Sequence, residues 1–167
     1  MRIEIRHTEP EDAPDLHAIL ISPHVVEGTM RLPYMALATT QERLKPRAGR
    51  LQLTALADAN VAGFAELLTE TVSPRSTHAA TLNMIVTRDD MRNKGICTAL
   101  MNEITTLCDT VLGLRRISLL VWADNEQAIR LYERHGFERE GLLRDFVRGR
   151  DGYKDAIQMA RIRSDNP

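Results

Sequence analysis

A short polar segment between two apolar ones contains residue types that bind phosphate. Residues 88–98 include Arg92, Lys94 and Gly95, and they lie between a predicted buried strand and the start of a predicted helix. Gly95 allows a tight backbone turn, and the first N–H groups of a helix carry a partial positive charge. A solvated basic turn is the simpler interpretation of an isolated Arg-x-x-Gly, and two neighbouring aspartates offset part of the charge. The strand before the loop and the helix after it favour an anion site.

A second segment, about 30 residues further along the chain, places three side chains on one helix face. Asn125, Ala128 and Tyr132 are spaced i, i+3 and i+7 in a predicted helix, so the ends of this face are about 10 Å apart. One extended ligand could contact both ends. Alone, Asn125 is more often part of a helix start and Tyr132 a core residue. Their occurrence together with the anion loop favours one shared ligand site.

These two segments resemble the signature of the GCN5-related N-acetyltransferase (GNAT) superfamily. Residues 92–97 are similar to the Gln/Arg-x-x-Gly-x-Gly/Ala loop that holds the acetyl-CoA pyrophosphate in that family, with Cys97 in place of the usual small residue. Residues 125–137 resemble its Asn-x-x-Ala-x-x-Leu-Tyr-x-x-x-Gly-Phe segment. The resemblance extends over residues 79–161, and the layout of the whole chain is most similar to bacterial L-amino-acid N-acetyltransferases of the YhhY type.

The resemblance implies acetyl-CoA as cosubstrate, no metal, and direct transfer of an acetyl group to a primary amine. Such a transfer needs an uncharged amine, a stabilised oxyanion and a proton for the departing thiolate. Tyr132 is implied as the general acid, because a phenol with the ordinary pKa of about 10 suits a thiol leaving group. The residues implied to bind the cofactor are Met84, Ile85, Val86, Arg92, Asn93, Lys94, Gly95, Ile96, Cys97, Thr98, Asn125, Ala128 and Tyr132.

The general base is less constrained by the resemblance. Glu66, Glu70 and His78 could each lie near the front of the predicted sheet. We expect Glu66 to be the base, because alternate residues of its strand are apolar and would carry the carboxylate into apolar surroundings. A solvent-exposed charge on an edge strand is the alternative interpretation of Glu66.

The hydrophobic patterns predict the elements that must position these residues. We expect an α/β (α+β) fold over residues 1–167, as one domain with a single mixed central sheet flanked by helices on both faces. Thr8 and Glu11 form a candidate capping box for the first helix, and residues 22–41 predict loops or a short helix finishing around residues 39–45. Strands are predicted at residues 2–7, 51–57, 61–69, 79–87, 116–122, 137–142 and 155–162, and helices at residues 12–21, 98–112 and 124–134.

Composition and charge argue against several classes of protein. The chain is 43% hydrophobic and 27% charged with a net charge of −1, without the basic excess of proteins that bind nucleic acid or anionic membranes. No apolar run suits a membrane span or a signal peptide, so we expect a cytoplasmic location. Cys97 and Cys108 are too far apart in one predicted helix to bridge, and the scattered histidines predict no zinc site.

The sequence therefore predicts an acetyl-CoA-dependent N-acetyltransferase acting on a small primary amine, with a free L-amino acid as the narrower expectation. The alternatives are acetylation of a protein or peptide, acetylation of an antibiotic or polyamine, and, in another class, a CoA-binding sensor without turnover. We expect no nucleic-acid or membrane partner. The resemblance also implies a homodimer, which light scattering at working concentration tests.

Overall fold

One mixed sheet of seven strands runs through the structure, a computed structural model that describes residues 1–164. Its strands are β1 (Ile3–His7), β2 (Arg50–Ala57), β3 (Asn60–Thr69), β4 (Ala79–Thr87), β5 (Arg116–Trp122), β6 (Glu138–Gly149) and β7 (Gly152–Ile162). Their order across the sheet is β1-β2-β3-β4-β5-β7-β6, so the last strand of the chain lies inside the sheet and β6 forms its edge. The predicted single mixed sheet is confirmed.

Helices pack on both faces of this sheet. On one face, α1 (Ala13–Leu20) is joined in a buried cluster by α2 (Pro23–Gly28) and α3 (Leu37–Leu44), and this cluster packs against Phe64 of β3 and Val86 of β4. On the other face lie α4 (Ile96–Thr110) and α5 (Glu126–Arg134). The buried residues of α4 recur at helical spacing: Ile96, Leu100, Met101, Ile104 and Cys108. The predicted arrangement of helices on both faces is confirmed.

Strands β4 and β5 pair only where they begin. Residues 79–81 of β4 pair in parallel with residues 116–118 of β5, whereas the other neighbouring strands are antiparallel. Beyond these residues β4 continues to Thr87 and β5 to Trp122 without pairing to each other, so the sheet opens into a cleft. Along this cleft, the backbone N–H and C=O groups of β4 that face β5 have no strand partner in the described chain.

The start of the first helix differs from the predicted Thr8–Glu11 capping box by one residue. The N–H of Glu9 donates to Asp12 Oδ2 at 2.9 Å, so the pair that caps this turn is Glu9 and Asp12. Thr8 is buried, and its hydroxyl lies 2.9 Å from that of Thr54 on β2. The predicted box was wrong because Thr8 has a partner on the sheet, which local sequence does not reveal.

Residues 22–44 contain two short helices where the sequence predicts loops or one helix. Pro23 begins α2, in the first-turn position where its missing N–H costs nothing. Helix α3 begins at Leu37, two residues before the predicted finishing region of 39–45. Between the two helices, Tyr34 adopts a φ of 64° and is 99% exposed. The connecting residues 29–36 therefore form a surface segment beside the cleft.

The other helices and strands begin or end a few residues before or after the predicted positions. Helix α4 begins at Ile96, directly after Gly95, and ends at Thr110 rather than at residue 112. The C-terminal hairpin is longer than predicted, since β6 extends to Gly149 and β7 begins at Gly152. Two register shifts interrupt the pairing of β6 with β7. These bulges disrupt the period-2 alternation that the prediction relies on.

Two kinds of feature are absent from residues 1–164. No helix there is long and apolar enough to cross a membrane, and no group of three or more His, Cys, Asp or Glu side chains could hold a metal ion. Cys97 and Cys108 are free thiols, in agreement with the prediction that they do not bridge.

Candidate active site

Two adjoining cavities open at the cleft between β4 and β5. The first, the loop cavity, has a volume of about 490 Å³ and is lined by β4, by α5 and by the loop before α4. The second, the arginine cavity, has a volume of about 370 Å³ and is lined by Arg31, Arg43, β4 and β5. Both volumes fall in the range of small-molecule sites. The residues that line both cavities are Gly28, Thr29, Ile85, Asn125, Ala128 and Tyr132.

The backbone before α4 is arranged to bind an anion in the loop cavity. Asn93 and Gly95 have positive φ angles of 60° and 86°, and α4 begins at the next residue after Gly95. Ile96, Cys97 and Thr98 form the first turn of α4, and all three line the cavity. The N–H groups of such a turn have no partner inside the helix and carry partial positive charge. The chemistry expected from residues 88–98 is therefore available here.

The polar side chains of this loop contribute unequally. Arg92 lines the loop cavity and lies 3.7 Å from Asp89. Lys94 lines neither cavity, and its Nζ lies 3.8 Å from the sulfur of Met91. Gln127, which the sequence analysis missed, donates to Asn93 Oδ1 and connects the start of α5 to the loop. No local pattern reveals this contact, because its partners are 34 residues apart.

The three residues predicted on β4 all reach the cavities. Ile85 and Val86 line the loop cavity, Met84 lines the arginine cavity, and Ile85 lies where the two meet. Because β4 has no strand partner on its cleft side at these positions, its backbone can pair with an extended ligand that carries amide groups. The predicted positions thus coincide with the open edge of the sheet.

Helix α5 carries the other predicted ligand contacts. Asn125 is its N-cap, and the side-chain oxygen of Asn125 accepts from the Ala128 N–H at 3.1 Å. The structural interpretation of Asn125 as part of a helix start is therefore confirmed, and its role in ligand binding stays a prediction, although it lines both cavities. Two turns later, Tyr132 packs against Phe137 with ring centroids 5.9 Å apart and lines both cavities. Burial raises the pKa of Tyr132 well above its usual value, so its phenol stays protonated at working pH.

Cys97, the departure from the family loop, lines the loop cavity and packs against the core. Burial raises the pKa of its thiol to about 11. A thiol in this state is protonated near neutral pH and is a poor nucleophile. Cys97 therefore contributes volume to the cavity wall.

Glu66 is buried on β3, an internal strand, and is 1% exposed. The alternative of a solvent-exposed charge on an edge strand is therefore wrong. Its Oε1 accepts from Arg43 and from Asn83, and its Oε2 accepts from Gln52 at 2.8 Å. Glu66 lines neither cavity, whereas Arg43 and Asn83 line the arginine cavity directly. The carboxylate thus lies behind the cavity wall and holds two of its side chains.

The other two candidate bases lie outside both cavities. Glu70 accepts hydrogen bonds from the backbone N–H groups of Val72 and Ser73 in an exposed turn. His78 is exposed just before β4. Neither residue is among those that line the loop or the arginine cavity.

Two arginines of the site were missed by the sequence analysis. Arg31 lies between α2 and α3, Arg43 lies on α3, and both line the arginine cavity. Their segment has no regular hydrophobic period, so the sequence offered no signal that would place it over the cleft. Among residues 1–164, the buried Nε atoms of both arginines have no hydrogen-bond partner.

Comparison with known proteins finds acetyltransferases similar to this chain. Residues 13–137 match the acetyltransferase (GNAT) family model. The chain is 35% identical to the L-amino acid N-acetyltransferase AaaT of Escherichia coli K12, over 96% of this chain and 98% of that protein. It is 26% identical to a spermidine N(1)-acetyltransferase of Vibrio cholerae, over 98% and 94% of the two chains. A structure of spermidine N-acetyltransferase from Vibrio cholerae in complex with CoA and spermine has a TM-score of 0.83 at 23% identity, and the match covers 96% of this chain and 95% of that one.

The match to the family model covers most of the chain, and the first of these relatives is similar to it over nearly its whole length. The range matched by the family model includes the loop before α4 and the Asn-x-x-Ala-x-x-Leu-Tyr segment of α5. The chain therefore belongs to the acetyltransferase (GNAT) family and is an N-acetyltransferase of that type.

Proposed function

We propose that this enzyme transfers the acetyl group of acetyl-CoA to the α-amino group of a free L-amino acid. The observation that carries the proposal is the charge of the arginine cavity. Among the described residues that line it, the charged side chains are Arg31 and Arg43, and there is no carboxylate. Such a cavity attracts an acceptor that carries a negative charge beside its amine.

The loop cavity fits the cosubstrate. The N–H groups at the start of α4 and the Arg92 side chain suit a pyrophosphate, and the open edge of β4 suits the amide groups of the pantetheine arm. Acetyl-CoA supplies an acetyl thioester when it is bound. Asn125, whose oxygen is engaged in capping, has an amide nitrogen without a partner in residues 1–164 and can donate to the same arm.

Proton transfer is assigned to Tyr132. Its ring lies where the two cavities meet, so its hydroxyl can serve a sulfur that enters from the loop cavity while the amine enters from the arginine cavity. The raised pKa keeps the phenol protonated, as a general acid requires. Backbone groups of residues 84–86 on β4 are the candidates for polarising the thioester carbonyl.

The role of Glu66 as general base stays a prediction, and its contacts support a positioning role more strongly. A base must reach the ammonium of the acceptor, directly or through water. Glu66 already accepts hydrogen bonds from Arg43, Asn83 and Gln52, which fill three of the about four acceptor positions of a carboxylate, and the residue lines neither cavity. These contacts support a function in fixing Arg43 and Asn83 at the cavity wall.

The relatives also include spermidine acetyltransferases, so a polyamine is the second candidate acceptor. A polyamine would bring several positive charges against Arg31 and Arg43, and placing like charges together is costly. The amino group of a longer peptide has no free carboxylate next to it. The charge of the cavity therefore favours a free amino acid over both. The presence of Tyr132, the candidate general acid, favours an enzyme over a sensor.

The test is a measurement of CoA thiol release from acetyl-CoA with a panel of acceptors. The panel contains free L-amino acids including Met and Phe, N-terminal peptides, spermidine and aminoglycosides. We expect turnover with free amino acids at a higher kcat/KM than with the other classes. Turnover of spermidine or of peptides alone would overturn the proposal, and binding of acetyl-CoA without turnover of any acceptor would favour the sensor.

A further inference from the structure

Arg31 has no anionic partner in the described chain, although it lines a cavity that is partly closed to water. Its Nη1 lies 3.4 Å from the sulfur of Met35, and its Nη2 lies 4.0 Å from the sulfur of Met84. Thioether sulfur is a weak acceptor. Its Nε is buried and has no partner in residues 1–164. Buried arginines usually have a carboxylate or carbonyl partner, so this guanidinium lacks a strong acceptor.

We infer that Arg31 binds the α-carboxylate of the acceptor and is the main determinant of selectivity for acceptors that carry one. The inference rests on the proposed function, which it deepens by assigning one residue to one group of the substrate. The planar fork of a guanidinium matches a carboxylate with two parallel hydrogen bonds, which thioether sulfurs cannot offer.

The surrounding charges single out Arg31 among the arginines of this region. Glu66 accepts a hydrogen bond from Arg43, and its Oε2 lies 3.7 Å from Arg50 Nε. One buried carboxylate thus faces Arg43 and Arg50, and the field of Arg43 also acts on Arg31. The cluster carries more positive than negative charge, and Arg31 is the member without a salt bridge in residues 1–164. An incoming carboxylate would reduce this imbalance.

Arg31 nevertheless stays charged at working pH. Burial lowers its pKa to about 10, with a further lowering by Arg43 and an opposite effect of Glu66. At neutral pH the guanidinium is therefore protonated, and it pays a desolvation cost that a bound anion would offset.

The position of Arg31 also affects the reacting amine. Arg31 and Tyr132 line the same cavity, and in an α-amino acid a single carbon separates the amine from the carboxylate. Holding the carboxylate therefore restricts where the amine can lie relative to Tyr132. Pairing with Arg31 also neutralises the negative charge that stabilises the neighbouring ammonium, so the amine loses its proton more readily.

The experiment compares the L-amino acid that turns over fastest with its carboxamide, which has the same side chain but no negative charge. Because the amine of the carboxamide is less basic, kcat/KM for each acceptor is expressed per unprotonated amine. For Arg31→Met, we expect kcat/KM for the acid to fall by roughly 10- to 100-fold, the loss typical of a hydrogen bond to a charged group. The value for the carboxamide should change little. Arg31→Lys should recover part of the activity, because it keeps the charge and loses the fork.

The matched control is Arg47→Met, which removes an exposed arginine that pairs with Glu42 outside both cavities. The kcat/KM values for the acid and for the carboxamide should not change in this variant. Thermal unfolding and the KM for acetyl-CoA report whether Arg31→Met disturbs the fold. An equal fall for acid and carboxamide in that variant, or no preference for the acid in the wild type, overturns the role of Arg31 and leaves the proposed function standing. Failure of the wild type to acetylate any amino acid, with acetyl-CoA still bound, overturns both.

Discussion

The loop cavity and the arginine cavity adjoin in space but are built in different ways. The loop cavity takes most of its polar groups from the backbone, at the start of α4 and along the open edge of β4. The arginine cavity takes much of its polarity from side chains that come from separate parts of the chain, namely Arg31, Arg43 and Asn83. If the proposed assignment holds, the cosubstrate is bound mainly by local backbone geometry, whereas acceptor choice depends on side chains that the fold brings together.

The two cavities also differ in how much buried charge they require, and therefore in their effect on the stability of the protein. Backbone N–H groups at a helix start keep their dipoles in place without burying a full charge. The arginine cavity requires a buried carboxylate, Glu66, which is stabilised by its pairing with Arg43, and a partly desolvated guanidinium, Arg31, which has no salt bridge in residues 1–164. Substitutions in the arginine cavity should therefore reduce stability and acceptor binding, whereas substitutions in the loop cavity should reduce the affinity for acetyl-CoA.

The largest effect is expected at Tyr132, which belongs to both cavities. Tyr132→Phe should lower kcat by about 10²- to 10⁴-fold, the usual contribution of a general acid, with little change in the affinity for acetyl-CoA. Because burial raises the pKa of Tyr132, ionisation of this phenol should cause no loss of kcat up to about pH 10. Steady-state kinetics across pH and calorimetric titration of acetyl-CoA measure both effects.

The matched control for this variant is Tyr153→Phe, on an exposed tyrosine of β7 that lines neither cavity. It should retain full activity. Near-normal kcat in Tyr132→Phe would show that another group is the general acid. Tyr132 would then not connect the reactions of groups bound in the two cavities.

The next-largest effect is expected for substitution of Glu66, which should lower stability and weaken acceptor binding without changing acetyl-CoA binding. Glu66→Gln leaves the partly buried Arg43 without a compensating charge, so the free energy of unfolding should fall by about 1 to 3 kcal/mol in urea titrations. The KM for the acceptor should rise, while the affinity for acetyl-CoA should stay the same.

Glu42→Gln is the control, since Glu42 is an exposed partner of Lys45 and Arg47 and should leave stability nearly unchanged. The same experiment separates the two roles of Glu66. A large loss of kcat with normal stability, together with loss of the acidic limb of the pH profile, would identify Glu66 as the general base and contradict the positioning role.

The smallest effect is expected for substitution of Gly95, which should weaken acetyl-CoA binding without changing acceptor binding. With a φ of 86°, a valine there is strained by about 1 to 2 kcal/mol, although the nearest atom to a Cβ is 3.9 Å away. Relief of this strain would move the first turn of α4, so Gly95→Val should raise the Kd for acetyl-CoA by roughly tenfold. The KM for the acceptor should not change.

Gly113→Val provides the comparison, because Gly113 also has a positive φ, of 62°, and a Cβ there would meet no atom within 4 Å. It should lose similar stability without any change in acetyl-CoA binding. Undiminished affinity in Gly95→Val would refute the assignment of residues 92–98 to the pyrophosphate.

The sequence identified two segments that line the loop cavity because each of them is continuous in the chain, and their binding roles stay predictions. Residues 92–98 and the face of α5 carry their spacing in the sequence itself, and the strands beside them follow simple hydrophobic patterns. Lys94 was the exception, since its direction depends on how the loop folds onto Met91.

The arginine cavity could not be predicted in the same way. The sequence analysis expected apolar surroundings for Glu66, and burial was right, but its partners Arg43 and Gln52 lie 23 and 14 residues away on α3 and β2. The segment that carries Arg31 has no hydrophobic period, so nothing local indicates that it lies over the cleft. Contacts of this kind are set by tertiary packing and not by local pattern.

The early separation of β4 from β5 also bears on how long the protein survives in a cell. Acetyl-CoA bound along this seam would supply the partner that the two strands do not give each other, and a cosubstrate that binds only the folded chain would stabilise that state. A ligand at 100 times its Kd stabilises the native state by about 2.7 kcal/mol. Differences of that size change the fraction of molecules open to proteolysis. We therefore expect the abundance of this enzyme to follow the supply of acetyl-CoA, even without any change in its synthesis.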